Sequence, residues 1–327
     1  MADRLPVSVL TGFLGSGKTT LLSSLLRHPW LGETAVIVNE LGEVAIDHHL
    51  LRRVDERTVL LPTGCVCCSL RGDLADELRD LLSRRTRGEI PPFRRVVIET
   101  TGLADPAPVL STLLSEPVVR HHFEPEAVVT TVDALSGLDQ LERQPEFIRQ
   151  AVAADSLVVT KTDAAEPART AVLESRLREL NPTAQILEVS FGAIDPPALF
   201  AATQRDPREL ELETVPHHNG DVSAFALVFA EPLEWTAFGI WLTMLLQCRG
   251  QDVLRVKGLL NVGAGGPLVL NGVQHVVHPP VHLDAWPDDD RRSRIVFIGR
   301  GIEKNQVEES LLAFNRAAGG ATRPGGR

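Results

Sequence analysis

Gly12-Phe13-Leu14-Gly15-Ser16-Gly17-Lys18-Thr19 decides the architecture of this chain. The octet is a full match to G-x-x-x-x-G-K-[ST]. A β-branched run predicted as a strand, Leu5 to Leu10, precedes it, and a stretch predicted as a helix, Thr20 to Arg27, follows it. In that context the glycines let successive backbone N–H groups turn inward around phosphate oxygens at the positive end of the helix. Lys18 supplies a point charge for the β and γ phosphates, and the Thr19 hydroxyl can ligate Mg²⁺. Gly12 through Thr20 is therefore the expected phosphate-binding segment. A tight glycine-rich turn without a ligand is the alternative.

Outward from this segment, short β-branched runs alternate with helical stretches. Predicted strands are Ala35 to Asn39, Thr58 to Leu61, Val96 to Glu99, Val128 to Val132, Leu157 to Thr160 and Ile186 to Val189; predicted helices include Leu70 to Leu82 and Ala168 to Leu180. Strand then helix, repeated, predicts an α/β fold with a mostly parallel sheet and helices on both faces. The near-continuous Val, Ile and Leu of these runs fits strands buried on both sides. The pattern breaks at Arg205 to Asp221, which is polar and contains Pro207, Pro216 and the pair His217 and His218. Beyond it, predicted strands Val222 to Phe229, Val253 to Leu259, Leu268 to Leu270, Val273 to Val277 and Ile295 to Ile298 are framed by predicted helices Trp235 to Gln247 and Lys304 to Arg316. The expected organisation is a nucleotide domain over 1–205, a linker over 206–221, a smaller α+β domain with an antiparallel sheet over 222–317 and a disordered tail over 318–327.

Composition narrows the class. With 327 residues and 43% hydrophobic content the chain can bury real cores, and its four cysteines exclude a disulfide scaffold. No apolar run approaches the roughly 18 to 20 residues of a membrane span, and the first residues lack a signal peptide's charged start and apolar middle. A cytoplasmic protein with no membrane partner is expected. A net charge of −10, with arginines dispersed, argues against a nucleic-acid partner but not against a phosphorylated small molecule. Lysine is confined to Lys18, Lys161, Lys257 and Lys304, so each position invites a specific role.

Lys161 lies in Thr160-Lys161-Thr162-Asp163, at the end of a predicted strand, and resembles the Asn-Lys-x-Asp signature of GTPases with Thr in place of Asn. The Asp163 carboxylate would accept from N1–H and the exocyclic amine of guanine, a donor pair that adenine lacks. The Lys161 stem would pack along the base. A plain strand-end turn is the alternative. Glu99, at the end of another predicted strand, sits where such enzymes place the carboxylate that orients Mg²⁺ or its waters. The Gly102 N–H is a candidate contact to the γ phosphate. Glu40, in the segment where a GTPase carries its first switch, is a further Mg²⁺ or catalytic candidate.

Cys65, Cys67 and Cys68 fall within four consecutive positions ahead of a predicted helix, whose N-terminus favours thiolates. Two or three such ligands suit Zn²⁺ or Cu(I), and Co²⁺ also fits. A closed structural site would need a second cysteine pair, which the chain lacks; an incomplete set suits a metal that is bound and then released. The missing ligand is sought among Glu40, Glu43, Asp47 and His48, with Glu43 placed first. A redox dithiol and inert burial are the alternatives. Cys248, on an apolar predicted helix, is expected in the core.

In combination, Thr11 to Thr20, Asn39 to Asp47, Gly64 to Cys68, Glu99 to Pro106, Thr160 to Asp163, Arg255 to Gly258 and Phe297 to Gly299 make the chain resemble the CobW-like family of GTP-dependent metal chaperones over nearly its whole length. The resemblance implies a GTPase that converts GTP to GDP with Mg²⁺. It also implies zinc, or another transition metal, bound at Cys65, Cys67 and Cys68 and delivered to a metalloprotein client in a step coupled to hydrolysis. A metal-responsive regulatory GTPase, and an accessory protein inserting cobalt or iron for cobalamin synthesis or a nitrile-hydratase-type enzyme, remain open as alternatives. So does a kinase or ATP-dependent ligase built on the same phosphate loop. Unlike many relatives, the chain has no long His-rich tract after the nucleotide domain.

Overall fold

A computed structural model of the chain describes residues 4–39, 59–63, 72–200, 217–219, 222–263 and 265–318. Leu5–Gly12 (β1) is buried along nearly its whole length, which fits the centre of a sheet covered on both sides. Thr34–Asn39 (β2), Val59–Thr63 (β3) and Arg95–Glu99 (β4) lie to one side of it, and Phe123–Asp133 (β5), Ser156–Thr160 (β6) and Gln185–Val189 (β7) to the other. The order is β3-β2-β4-β1-β5-β6-β7, with every pair parallel. Strand order reverses at β1, so the loop leaving it opens into the crevice where ligands of such sheets bind.

The helices of this part are Lys18–Leu25 (α1), Gly72–Thr86 (α2), Ala107–Ser115 (α3), Pro117–His122 (α4), Gly137–Arg143 (α5), Pro145–Ala153 (α6), Pro167–Leu180 (α7) and Pro196–Phe200 (α8). On one face, Leu21, Leu22 and Leu25 of α1 and Leu199 and Phe200 of α8 share a core with Leu10, Val36, Val97, Val129 and Val158 of the sheet. Thr130, directed oppositely to its neighbour Val129, donates to the Gln150 carbonyl of α6 on the other face (2.9 Å). The amino end of the sheet is closed by packing: the Arg95 guanidinium lies 3.6 Å above the Trp30 ring and pairs with Glu126 at 3.2 Å. Burial lowers the Arg95 pKa, an effect opposed by that carboxylate.

The chain divides into two compact units, one of Met1–Arg176 with Ala184–Gln204, the other of Leu177–Thr183 with Arg205–Arg327. In the second, His217–Asn219 (β8), Val222–Phe229 (β9), Val253–Leu260 (β10), Leu268–Val273 (β11), Val276–Val277 (β12) and Ser293–Arg300 (β14) run β12-β11-β10-β14-β9-β8, and Val281–His282 (β13) pairs with β11. All of these pairs are antiparallel. Trp235–Arg249 (α9) and Lys304–Ala317 (α10) pack on the sheet through Phe238, Trp241, Leu242, Val307 and Leu311 against Phe225, Leu227, Phe229, Val256 and Phe297. Glu234 caps α9 by accepting from the Thr236 and Ala237 amides, which lowers its pKa.

Three sequence expectations change here. The stretch read as a linker contains β8, an edge strand that pairs His217 with Ala224. Its polar residues carry no alternating apolar signal, and only backbone pairing defines it. The run Val273 to Val277 is not one strand, because Gln274, at φ 52, turns the chain between β11 and β12. Cys248 is exposed; the core contacts of α9 end at Leu246, one turn before the helix does. The tail over 319–327 lies outside the described residues. Among the described residues no helix is long and apolar enough to cross a membrane.

Candidate functional site

The loop leaving β1 is shaped by close approach. Gly12 has a φ of 140°, and a Cβ there would collide with the Thr131 hydroxyl and carbonyl. Gly17, at φ 89°, is the N-cap residue of α1 and brings no side-chain cap. The first-turn amides of α1 are thus available to an anion at the positive helix end. Lys18, the first residue of α1, folds back so that its Nζ donates to the Gly12 carbonyl (2.9 Å) and the Phe13 carbonyl (3.2 Å). The Thr19 hydroxyl donates to Glu99 Oε1 at 3.0 Å, across 80 residues of sequence. Glu99 is buried at the carboxyl end of β4. A hydroxyl and a carboxylate side by side are hard oxygen donors, a set that suits Mg²⁺.

Beneath the loop runs a connected set of buried hydroxyls. Ser16 and Thr131 share a hydrogen bond of 2.6 Å, and Thr131 donates to the Thr11 carbonyl at 3.3 Å. Thr100 donates to the Thr11 hydroxyl at 2.8 Å, and Thr160 to the Ser16 carbonyl at 2.8 Å. These bonds join the ends of β1, β4, β5 and β6, which places Thr160 of the guanine-type tetrapeptide directly under the phosphate loop.

Gly102 follows β4 and lies against the loop, since a Cβ on it would meet Leu14 N at 2.7 Å and Leu14 Cα at 2.8 Å. Its carbonyl accepts from Gln150 Nε2 (3.1 Å), which also donates to the Ala104 carbonyl (3.0 Å). Gln150 is fully buried on α6, and its two bonds anchor the segment after β4. Asp105 accepts from the Ala107 amide at 2.9 Å and opens α3.

On the base side, Lys161 Nζ is held by Asp133 Oδ2 at 2.7 Å, and Asp133 Oδ1 accepts from the Leu135 amide at 2.8 Å. Asp163 is exposed two residues beyond. The Thr162 and Ser190 hydroxyls are 2.9 Å apart, which ties the loop after β6 to the loop after β7. Sequence reasoning missed Asp133, Gln150, Thr131 and Ser190. An acidic residue closing a hydrophobic strand, the signal that singled out Glu99, is present at Asp133 as well.

Phosphate-loop, guanine-loop and Glu99 residues are therefore gathered at one edge of the sheet. Cys65, Cys67, Cys68, Glu40, Glu43, Asp47 and His48 lie outside the described residues. Among the described residues no group of three or more His, Cys, Asp and Glu side chains is placed to hold a metal ion.

Residues 6–188 match the model of the CobW/HypB/UreG nucleotide-binding domain, and residues 222–315 match that of the cobalamin synthesis protein cobW C-terminal domain. The chain belongs to the CobW family. This CobW-family chain is 32% identical to the zinc chaperone YjiA of Escherichia coli K12, over 95% of its own length and 98% of that protein. It is 26% identical to zinc-regulated GTPase metalloprotein activator 1 of Schizosaccharomyces pombe, over 92% of its length and 84% of the relative. Its fold matches the crystal structure of the Zn(II)-bound YjiA GTPase from E. coli with a TM-score of 0.74 at 28% identity, covering 95% of this chain and 99% of the other. The CobW-type nucleotide-binding match contains β2 through β6 and all but one residue each of β1 and β7, and so the edge on which Lys18, Thr19, Glu99, Gly102 and Lys161 meet.

Proposed function

We propose that this chain is a cytoplasmic GTP-hydrolysing metallochaperone that carries zinc to a metalloprotein client. The observation that carries the reading is the Thr19–Glu99 hydrogen bond beside the inward-folded Lys18, at the sheet position where nucleotides bind. Near-full-length similarity to a zinc chaperone supports zinc as the cargo.

The amides of Gly12 to Thr20 and the N-terminus of α1 bind the phosphates, with Phe13, Leu14, Gly15, Ser16 and Gly17 contributing backbone. Lys18 exchanges the Gly12 and Phe13 carbonyls for the β and γ phosphate oxygens. Thr19 and Glu99 would hold Mg²⁺, which when bound neutralises charge developing on the transferred phosphoryl group. Gly102, packed on Leu14, offers its N–H to the γ phosphate, and Gln150 keeps that segment in place. Asp163 accepts from guanine, while Asp133 fixes the Lys161 ammonium so that the stem lines the base.

Zinc is the cargo, bound by Cys65, Cys67 and Cys68 with Glu43 as the added ligand, and Glu40 is assigned to the nucleotide side of the same segment. Thiolates favour Zn²⁺ and leave Co²⁺ as the second choice. Three neighbouring thiols also require a reducing compartment. The proposed domain bounds are 1–205 for the nucleotide domain and 222–317 for the C-terminal domain.

Metal release is coupled to hydrolysis because the γ phosphate orders segments that complete the metal site, and its loss loosens them. Titration of Zn²⁺ against the protein loaded with a non-hydrolysable GTP analogue and with GDP tests this. The expected result is at least tenfold tighter binding in the analogue form. Equal affinities overturn the coupling, since a ligand that binds both states equally cannot shift them.

A further inference from the structure

Strands β6 and β7 end side by side, with Thr160 opposite Val189, and both chains leave the sheet through the same unusual conformation. Lys161 has a φ of 58° and Phe191 a φ of 55°. Only three non-glycine residues in the described chain have positive φ, and these are two of them. A residue with a Cβ adopts that region at an energetic cost, and a bulky aromatic there is an outlier.

Phe191 is also 81% exposed, more than any other large hydrophobic residue described. The strained backbone is the informative part, because residues held in such φ/ψ regions cluster at active sites and ligand clamps.

The location indicates the ligand. Ser190 is joined to Thr162 by a hydrogen bond of 2.9 Å, one residue before Asp163. Gly192 lies against the first turns of α1, where a Cβ would meet the Thr20 carbonyl at 3.1 Å and Ser24 Cβ at 3.0 Å. The Ser190 to Ala193 turn, closed by the Ala193 amide donating to the Ser190 carbonyl at 3.1 Å, thus bridges the guanine-type loop and the phosphate-loop helix. Phe191 sits in that turn, between Ser190, bonded to the guanine-type loop, and Gly192, packed on the phosphate-loop helix.

We propose that Phe191 forms one wall of the base slot, stacking its ring on the purine face opposite the Lys161 stem. The proposal rests on the nucleotide reading above and adds the aromatic contact. The Lys161 ammonium is already tethered to Asp133, so that wall is set before the base arrives, and Phe191 supplies the second. Stacking recognises the π-face and not the exocyclic groups. Phe191 therefore strengthens binding of any purine nucleotide, while Asp163 selects guanine.

The test is titration of GDP, a GTP analogue and inosine diphosphate into the wild-type full chain and into Phe191→Ala, Phe191→Trp and Phe191→Gly. Phe191→Ala is expected to weaken all three by a similar factor, about tenfold, while Phe191→Trp stays within about threefold of wild type. The added tryptophan of Phe191→Trp should also lose emission on GDP binding beyond any change in wild type. Phe191→Gly separates binding from folding, because glycine adopts φ 55° freely: its melting temperature should equal or exceed that of Phe191→Ala while its nucleotide affinity is equally weak. Wild-type affinity in Phe191→Ala for all three nucleotides overturns the stacking contact alone. Failure of the wild type to bind guanine nucleotides overturns the nucleotide reading with it.

Discussion

The carboxyl edge of the parallel sheet and the interior of the antiparallel unit are both buried, yet they are held in opposite ways. At the edge, Thr11, Ser16, Thr100, Thr131 and Thr160 are linked through hydrogen bonds between residues far apart in sequence. In the second unit, Phe225 stacks on Phe297 at 5.7 Å, and Trp241 meets Phe297 edge-on at 6.2 Å. A buried hydroxyl pair contributes only about 1 kcal/mol net but costs more when one partner is lost. Buried aromatics contribute mainly through the large apolar area they remove from water, with about 0.5–1.5 kcal/mol more per pair from ring geometry. The hydroxyls therefore set the relative positions of loops, and the aromatics supply stability. Function and stability should separate along this division.

The largest expected effect lies in the aromatic core. Phe297→Ala removes a fully buried ring that touches both Phe225 and Trp241, and it should destabilise the second unit by about 3–5 kcal/mol. Measured by denaturant unfolding, that loss should appear while guanine-nucleotide affinity at low temperature stays within about twofold of wild type. A matching fall in nucleotide affinity would break the division.

Gln150→Met tests the other side with a substitution of similar volume. It removes the donor that serves both the Gly102 and Ala104 carbonyls, leaving buried acceptors to find other partners at a cost of about 1–3 kcal/mol. The cost should fall on the placement of the segment after β4. Single-turnover GTP hydrolysis is expected to slow by about tenfold or more, with GDP affinity nearly unchanged. A variant that melts lower but hydrolyses normally would make Gln150 a packing residue only.

The same division explains what was legible in the sequence. Local signals revealed the phosphate loop, the parallel alternation and the tetrapeptide at Thr160 to Asp163, because each is a run of adjacent residues with a fixed geometric meaning. Glu99 was legible through its place at a strand end. Gln150 and Thr131 were not: their partners are 48 and 115 residues away, and single threonines and glutamines carry no pattern until the sheet aligns them. Phe191 looks like an ordinary apolar residue until its φ and exposure are known. Cys248 misled for the converse reason, since helical periodicity places it on the inner stripe of α9 but cannot say where the partner core stops.

The smallest expected effect concerns a charge contact in the second unit. Asp290 accepts from the Arg292 side chain through both carboxylate oxygens, at 2.9 Å and 2.8 Å, and from the Arg292 amide at 3.0 Å. Mainly for that reason its pKa is lowered from 3.8 to about 2. A carboxyl whose folded pKa is depressed stabilises the fold above its unfolded pKa, and the contribution disappears as pH falls from about 4 towards 2. The group is partly solvated, with 28% of its side chain exposed, so screening limits the effect to about 1 kcal/mol or less. Asp290→Asn should therefore be slightly less stable than wild type at pH 7. The two unfolding curves should converge as the pH is lowered below 4, with nucleotide affinity at neutral pH unaffected. A difference that stays constant down to pH 2.5 would assign the loss to the hydrogen-bond geometry of the turn and not to the charge.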